Sequence, residues 1–255
     1  MTAVVTGASS GLGKCIAQEL SRRGYDLVLV ARREDRLMQL AEELPVKCMV
    51  LCMDLSVPGQ CYALWEQTKE MDVSVLINAA GFGVYGRFSQ TSLERELTML
   101  DLNIKAPHIL TKLYLKTFQK RGKGYIMNVA SSAGYMAGPF LSSYYAAKSY
   151  VLRLSQAVFE EESGGSVRVC AFCPGPVDTE FNRNAGIHAS VKPMAPEKAA
   201  EYGVKMLFKG KRVIVPGVSM KAGLLAARLL PEGLLIKITR RIQEKKALGS
   251  ERIQA

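Results

Sequence analysis

Short apolar runs separated by longer stretches of helical period most narrow what this chain can become. The runs are Ala3–Thr6, Asp26–Ala31, Val46–Met53, Val73–Asn78, Gly124–Val129, Val167–Cys173 and Arg212–Pro216. They consist largely of Val, Ile, Leu, Cys and Met without strict alternation, the pattern of strands covered on both faces. Between them, Leu12–Arg23 and Arg36–Leu44 carry apolar positions at helical spacing. Ser92–Arg121 reads as one long helix that Pro107 bends. Repetition of this kind predicts an α/β fold: a doubly wound parallel sheet of about seven strands with helices on both faces, joined by right-handed crossovers. Without a linker, internal repeat or low-complexity tract, residues 1–255 read as one domain, with 217–255 as a helical extension.

Composition closes off other classes. With 48% hydrophobic and 22% charged residues, the chain is neither disordered nor a collagen or disulfide scaffold. No stretch approaches the roughly 18 uncharged apolar residues of a membrane span. The first apolar run already breaks at Gly7, too early for a signal peptide, so a cytoplasmic location is expected. The cysteines Cys15, Cys48, Cys52, Cys61, Cys170 and Cys173 are then expected as free, inert thiols. Cys170 and Cys173 have CxxC spacing, but extended backbone places them on opposite faces. The histidines are His108 and His188, and no metal site is expected.

Charge is concentrated at one end. From Lys209 onward, eleven basic residues face three acidic ones, so the tail holds +8 of the net +11. Within it, Leu234, Leu235, Ile238 and Ile242 form a helical stripe opposite Lys237, Arg240, Arg241 and Lys245. Such a helix can cover a cleft or a partner subunit, or lie on an anionic membrane as a peripheral contact. No nucleic-acid partner is expected: the basic residues form one appendage, and no aromatic residue interrupts them for stacking.

The first strand runs into Thr6-Gly7-Ala8-Ser9-Ser10-Gly11-Leu12-Gly13 and a helix follows at once. Glycines there allow a tight turn and let backbone amides approach a pyrophosphate at the positive end of the helix. Downstream, Tyr144 and Lys148 stand four apart on a helix opened by Tyr144-Tyr145-Ala146-Ala147-Lys148, and so share one face. A phenol titrates near pH 10, and a nearby ammonium brings it towards neutrality, suiting it to proton exchange.

The TGxxxGxG spacing, Asn78-Ala79-Ala80-Gly81 and the tyrosine–lysine pair resemble the short-chain dehydrogenase/reductase family over Thr2 to about Arg212. The resemblance implies a Rossmann-type fold and an oxidoreductase that interconverts a carbonyl and a secondary alcohol with a nicotinamide cofactor. It implies a catalytic set of Asn103, Ser131, Tyr144 and Lys148. Ser131 lies thirteen residues before Tyr144 and would polarise the carbonyl, while Asn103 would anchor a water linking Lys148 to solvent. Cofactor contacts would come from Gly7, Ser9, Ser10, Gly11, Leu12, Gly13, Asp54, Leu55, Asn78, Ala79, Ala80, Gly81, Tyr144 and Lys148. Pro174, Gly175, Val177 and Thr179, in a segment similar to the family's PG motif, would hold the nicotinamide end.

Cofactor choice can be read from charge. NAD-using folds place an acidic residue at the end of the second strand, whereas here Ala31 is followed by Arg32 and Arg33. A guanidinium binds a 2′-phosphate through charge-assisted hydrogen bonds, so NADP(H) is expected rather than NAD(H). By resemblance Arg32 is the phosphate contact beside Ser9, and Arg33 stacks on adenine. A lid over the substrate is expected across Glu180–Pro196, including Asn182, Arg183, Asn184, Gly186, His188 and Lys192, with other walls from Phe82, Tyr85, Tyr135, Met136 and Phe140. A partly apolar pocket suits steroid-like, lipid-like or aromatic carbonyls. The tail departs from the family's usual glycine-rich end and resembles a DltE-like subset, so a homodimer is expected as readily as a homotetramer. Alternatives are a 3-oxoacyl reductase, or a non-catalytic NADP-binding sensor or membrane-peripheral protein.

Overall fold

The computed structural model describes residues 1–181 and 193–251. Seven strands form one parallel sheet in the order β3-β2-β1-β4-β5-β6-β7. They are β1 (Thr2–Thr6), β2 (Asp26–Ala31), β3 (Cys48–Cys52), β4 (Val73–Asn78), β5 (Gly124–Val129), β6 (Val167–Phe172) and β7 (Val213–Ile214). Every residue of β1 and β4 is buried, as their unalternating apolar sequences require. The outer strands are shorter than their apolar runs. β7 pairs only through Val213 with Ala171 and Ile214 with Phe172, so its ladder is two residues long.

The helices are α1 (Gly11–Arg22), α2 (Glu34–Glu43), α3 (Pro58–Thr68), α4 (Leu93–Leu100), α5 (Ala106–Arg121), α6 (Ser142–Glu161), α7 (Pro196–Phe208), α8 (Val218–Leu229) and α9 (Glu232–Glu251). One sheet face packs Val5, Leu29 and Ile77 against Ile16 and Leu20 of α1, Leu37 and Leu40 of α2, and Val204 and Leu207 of α7. The other packs Val4, Val28 and Ile126 against Leu64 of α3 and Leu110, Tyr114 and Phe118 of α5. The helix expected across Ser92–Arg121 is continuous, but it widens into a π-turn at Asp101–Lys105, where Ala106 N–H bonds to the Asp101 carbonyl. Pro107 has no N–H to offer the Asn103 carbonyl four residues earlier, and the wider turn sits where the α-helical ladder loses that bond.

The tail corrects the sequence reading of its helical face. Among the described side chains of α9, those buried are Thr239 and Gln243, at 3% and 1% exposure. Leu234, Ile238 and Ile242 of the expected apolar stripe are 47%, 37% and 43% exposed. The reason lies in what α9 meets. Thr239 Oγ1 donates to the Leu235 carbonyl at 2.9 Å and lies 3.6 Å from Met136 Sδ, Gln243 Nε2 donates to Tyr145 Oη at 2.5 Å, and the Gln243 main-chain carbonyl accepts from Tyr85 Oη at 3.0 Å. Polar partners beneath the helix select its polar residues for burial. Among the described residues, no helix is long and apolar enough to cross a membrane.

Candidate active site

A cavity of about 920 Å³ opens at the carboxyl ends of the strands. That is near the top of the usual range of about 300–1,000 Å³ for small-molecule sites, roomy enough for a dinucleotide with a substrate beside it. Its first wall is the turn after β1. Gly7 has φ +69°, and a Cβ there would lie 2.8 Å from Ala80 Cα; a Cβ on Gly13 would lie 2.2 Å from the Gly7 carbonyl oxygen. The turn, the start of α1 and the end of β4 therefore approach backbone to backbone. Thr6 Oγ1 fixes that approach by donating to the Ile77 carbonyl at 3.2 Å and accepting from Ala79 N at 3.0 Å and Ala80 N at 3.2 Å. Ser9, Ser10, Gly11, Leu12 and Gly13 line the cavity at the N-terminus of α1, where unpaired amides and the helix dipole favour an anion.

Cations border the same end. Arg33 donates to Ser9 Oγ at 3.2 Å, to Ser10 Oγ at 2.7 Å and to Glu180 at 2.9 Å. Arg36 reaches the other Glu180 oxygen at 2.8 Å, and hydrogen bonds from Arg36 and Arg33 hold the Glu180 carboxyl down to about 2. Arg32 extends to Asp54 Oδ2 at 3.6 Å with its side chain 65% exposed. The place beside Ser9 that the resemblance gave to Arg32 is thus occupied by Arg33, and both arginines are among the residues lining the cavity. Asp54 Oδ1 caps its own turn, accepting from Ser56 N at 3.0 Å and Ser56 Oγ at 2.7 Å. Burial raises the Asp54 pKa, but these bonds and Arg32 outweigh it and lower it overall.

Tyr144, Ser131 and Lys148 meet at the inner end. The Ser131 hydroxyl hydrogen-bonds to the Tyr144 oxygen, and its Oγ accepts from Ala133 N at 3.1 Å. Lys148 Nζ lies 5.8 Å from the Tyr144 ring centroid and donates to the Val129 carbonyl at 2.8 Å. Burial pushes the Tyr144 phenol above its ordinary value, against the hydrogen bond from Ser131. Burial also brings the Lys148 ammonium down to about 8. In the ligand-free protein, desolvation therefore outweighs the hydrogen bond from Ser131, and Tyr144 stands protonated at neutral pH.

Asn103 is fully buried behind this group. Its Nδ2 donates to the Phe82 carbonyl at 2.8 Å and its Oδ1 accepts from Phe82 N at 3.2 Å. Its amide clamps the loop after β4, and a Cβ on Gly81 would lie 2.8 Å from Asn103 Oδ1 and 3.6 Å from Lys148 Nζ.

Leu55, Ala79, Ala80, Gly81, Pro174, Gly175, Val177 and Thr179 also line the cavity, as do Phe82 and Met136. Asn78 does not. Its Nδ2 bonds to Asn128 Oδ1 at 2.8 Å, tying β4 to β5 beneath the site. Tyr135 turns to the Cys173 thiol, and Tyr85 stacks on Phe140 with ring centroids 6.0 Å apart. Residues 182–192 of the expected lid, with Asn182, Arg183, Asn184, Gly186, His188 and Lys192, lie outside the described residues. Phe181 from the start of the expected lid and Ile242 from the tail's apolar stripe line the cavity too, together with Leu141, Tyr145, Met220, Thr239 and Gln243, which the sequence did not single out as walls. Phe181, whose ring centroid is 5.1 Å from that of Tyr144, is the nearest of these to the chemistry for which a ring distance is known. All six cysteines are free, and the described residues contain no cluster of three or more His, Cys, Asp or Glu able to hold a metal.

The short-chain dehydrogenase family model matches residues 1–189. The chain belongs to that family. An uncharacterized oxidoreductase of Staphylococcus epidermidis is 32% identical over 221 residues, covering 86% of this chain and 96% of the relative. A 7beta-hydroxysteroid dehydrogenase of Clostridium sardiniense is 30% identical over 213 residues, covering 81% and 82%. Among solved structures, a short-chain dehydrogenase from Sphingobium yanoikuyae in complex with NADPH superposes with a TM-score of 0.81 at 32% identity, covering 89% of this chain and 93% of that one.

The lowered Lys148 pKa fixes the sign of a pH effect on stability. Between about 8 and the ordinary lysine value of 10.5, unfolded Lys148 holds a proton that folded Lys148 has released. Stability must then rise with pH across that window, and the burial penalty is fully present below it. Relative to Lys148→Met, the ligand-free wild type should gain about 3 kcal/mol from pH 8 to 10.5. Urea unfolding of both proteins across the window checks this. A constant difference between them would show that Lys148 does not titrate there.

Proposed function

We propose that this short-chain dehydrogenase is an NADP(H)-dependent oxidoreductase that interconverts a carbonyl and a secondary alcohol, with Tyr144 as the proton donor and acceptor. The observation that carries this reading is the convergence of the glycine turn, two arginines and the Ser131–Tyr144–Lys148 group on one cavity. The residues fit a phosphorylated dinucleotide: without side chains on Gly7 and Gly13 the turn, the start of α1 and the end of β4 close backbone to backbone, which leaves residues 9–13 lining the cavity at the α1 N-terminus for a pyrophosphate, and Arg32, Arg33 and Ser9 offer donors for a 2′-phosphate. When bound, the nicotinamide supplies or accepts the hydride.

The chain's own residues manage the proton. In reduction, the protonated Tyr144 hydroxyl gives its proton to the substrate oxygen as negative charge builds there. Ser131 holds the same oxygen with its hydroxyl. Lys148 orients the ribose and, once Tyr144 has lost its proton, stabilises the phenolate. In oxidation Tyr144 accepts the proton instead, and the same contacts run in reverse.

The substrate reading is a bulky, largely apolar ketone or alcohol of steroid-like, lipid-like or aromatic kind. The apolar walls formed by Met136, Leu141, Phe181, Met220 and Ile242 support it, as does the relative that is a hydroxysteroid dehydrogenase. A sensor that binds the nucleotide without turnover has no use for a tyrosine, serine and lysine gathered this way.

Cofactor preference is tested at the arginines. Each charge-assisted contact to a phosphate is worth about 1.5–3 kcal/mol. Arg33→Ala, and separately Arg32→Ala, should therefore raise the KM for NADPH about tenfold or more while moving that for NADH less than about twofold. Equal shifts for both cofactors would remove the 2′-phosphate assignment.

A further inference from the structure

Gln243 presents a buried polar atom that no described residue satisfies. The residue is 1% exposed, its Nε2 donates to Tyr145 Oη at 2.5 Å, and its Oε1 has no hydrogen-bond partner among the described residues. Leaving such an acceptor unpaired costs about 1–3 kcal/mol; Ser21 Oγ, Ser74 Oγ and Asn78 Oδ1 are also unpaired among the described residues, but of the four residues Gln243 is the one that lines the cavity. Its position is also fixed rather than loose. The Gln243 carbonyl accepts from Tyr85 Oη at 3.0 Å, pinning α9 at this residue, and Thr239, one turn earlier, is buried against Met136. Helix α9 thus buries polar side chains over the cavity while Leu234, Ile238 and Ile242 stay partly exposed. The helix therefore offers the cavity a mixed wall, Ile242 beside the buried polar Thr239 and Gln243.

Gln243 and Tyr145 line the same cavity as Ser131 and Tyr144, and the Tyr144 and Tyr145 ring centroids are 6.2 Å apart. We propose that Gln243 is a specificity-determining residue whose amide oxygen accepts a hydrogen bond from a second polar group of the substrate, a neutral donor such as a hydroxyl, carried away from the reacting carbonyl. This inference rests on the carbonyl-reductase reading of the site and names a substrate class within it: hydroxylated bulky ketones. Tyr145 is a positioning residue that holds the amide in place. A carboxylate or phosphate brings only acceptors and would meet the Gln243 oxygen lone pair to lone pair, so anionic groups are disfavoured at this point.

Matched ketones test it. The probes are 4-(4-hydroxyphenyl)cyclohexanone with 4-phenylcyclohexanone, and 4-hydroxycyclohexanone with cyclohexanone, each reduced by the full-length protein with NADPH. In the wild type the hydroxylated member of at least one pair is preferred about tenfold in kcat/KM, through KM rather than kcat. In Gln243→Met that preference falls to within about twofold. Tyr145→Phe cuts the tie but keeps the acceptor, so it retains a preference of at least about threefold. Equal kcat/KM within both wild-type pairs overturns the inference and leaves the reductase reading standing. So does an identical collapse in Gln243→Met and Tyr145→Phe, which would show that the pair only docks α9. Failure to reduce any of the four ketones with NADPH bound would instead strike the reductase reading, and the subsite with it.

Discussion

Tyr144→Phe is expected to lower kcat for ketone reduction by at least about a hundredfold, and towards ten-thousandfold, with the fold and NADPH affinity retained. The substitution removes one oxygen from a ring packed among Leu141, Tyr145, Phe181 and Tyr85 and changes little else in that cluster. What disappears is the proton. Burial keeps the Tyr144 phenol protonated in the ligand-free site, the form that a general acid needs. Lys148 already donates from Nζ to the Val129 carbonyl, and an aliphatic serine hydroxyl is too weak an acid to take the phenol's place. Neither can substitute for it. Single-turnover reduction in excess enzyme, read as NADPH consumption, separates chemistry from binding; a rate constant within about tenfold of the wild type would remove Tyr144 from the proton-transfer role.

Gly13→Val acts on the other half of the site through sterics alone. A Cβ at Gly13 would lie 2.2 Å from the Gly7 carbonyl oxygen and 3.3 Å from Ala8 N, and both neighbours are backbone, which cannot rotate away. The helix must lift from β1, and the turn whose amides face the cavity moves with it. Overpacking of a tight contact costs about 1–3 kcal/mol of stability, and sometimes more. The expected result is a destabilised protein whose affinity for NADPH falls at least about a hundredfold. Isothermal titration at a temperature where circular dichroism shows the variant folded separates the two effects. Wild-type affinity in a folded variant would mean that this turn does not carry the pyrophosphate.

Much of this architecture was legible from residues. The β2, β4 and β5 boundaries follow their apolar runs because both faces of those strands are covered and hydrophobicity stops where cover stops. The glycine turn, Ser131, Tyr144 and Lys148 could be placed because spacing along a helix and after a strand is short-range information. Helix α3 went unmarked: it buries only Cys61, Leu64 and Thr68, too few positions to print a period. Asn78 belonged to the right segment, but its side chain faces Asn128 and Thr111 under the sheet, a choice set by the neighbouring strand rather than by local sequence. The exchange of Arg32 for Arg33 beside Ser9 has the same cause, since consecutive residues at a strand end diverge and the long-range partner Glu180 selects one of them. Helix α9 was read by hydropathy, which assumes that the surface below a helix is apolar. Here that surface offers hydroxyls and a thioether, so Thr239 and Gln243 turned inward and the cavity gained a wall that periodicity could not reveal.

The most direct measurement is NADPH oxidation by the wild-type protein against bulky ketones, run beside NADH at matched concentration. Steady turnover with NADPH, and kcat/KM at least about tenfold lower with NADH, is the expected result. Saturable NADPH binding with no turnover of any ketone or aldehyde offered would contradict it, and would leave a nucleotide-binding protein whose gathered tyrosine, serine and lysine do no chemistry.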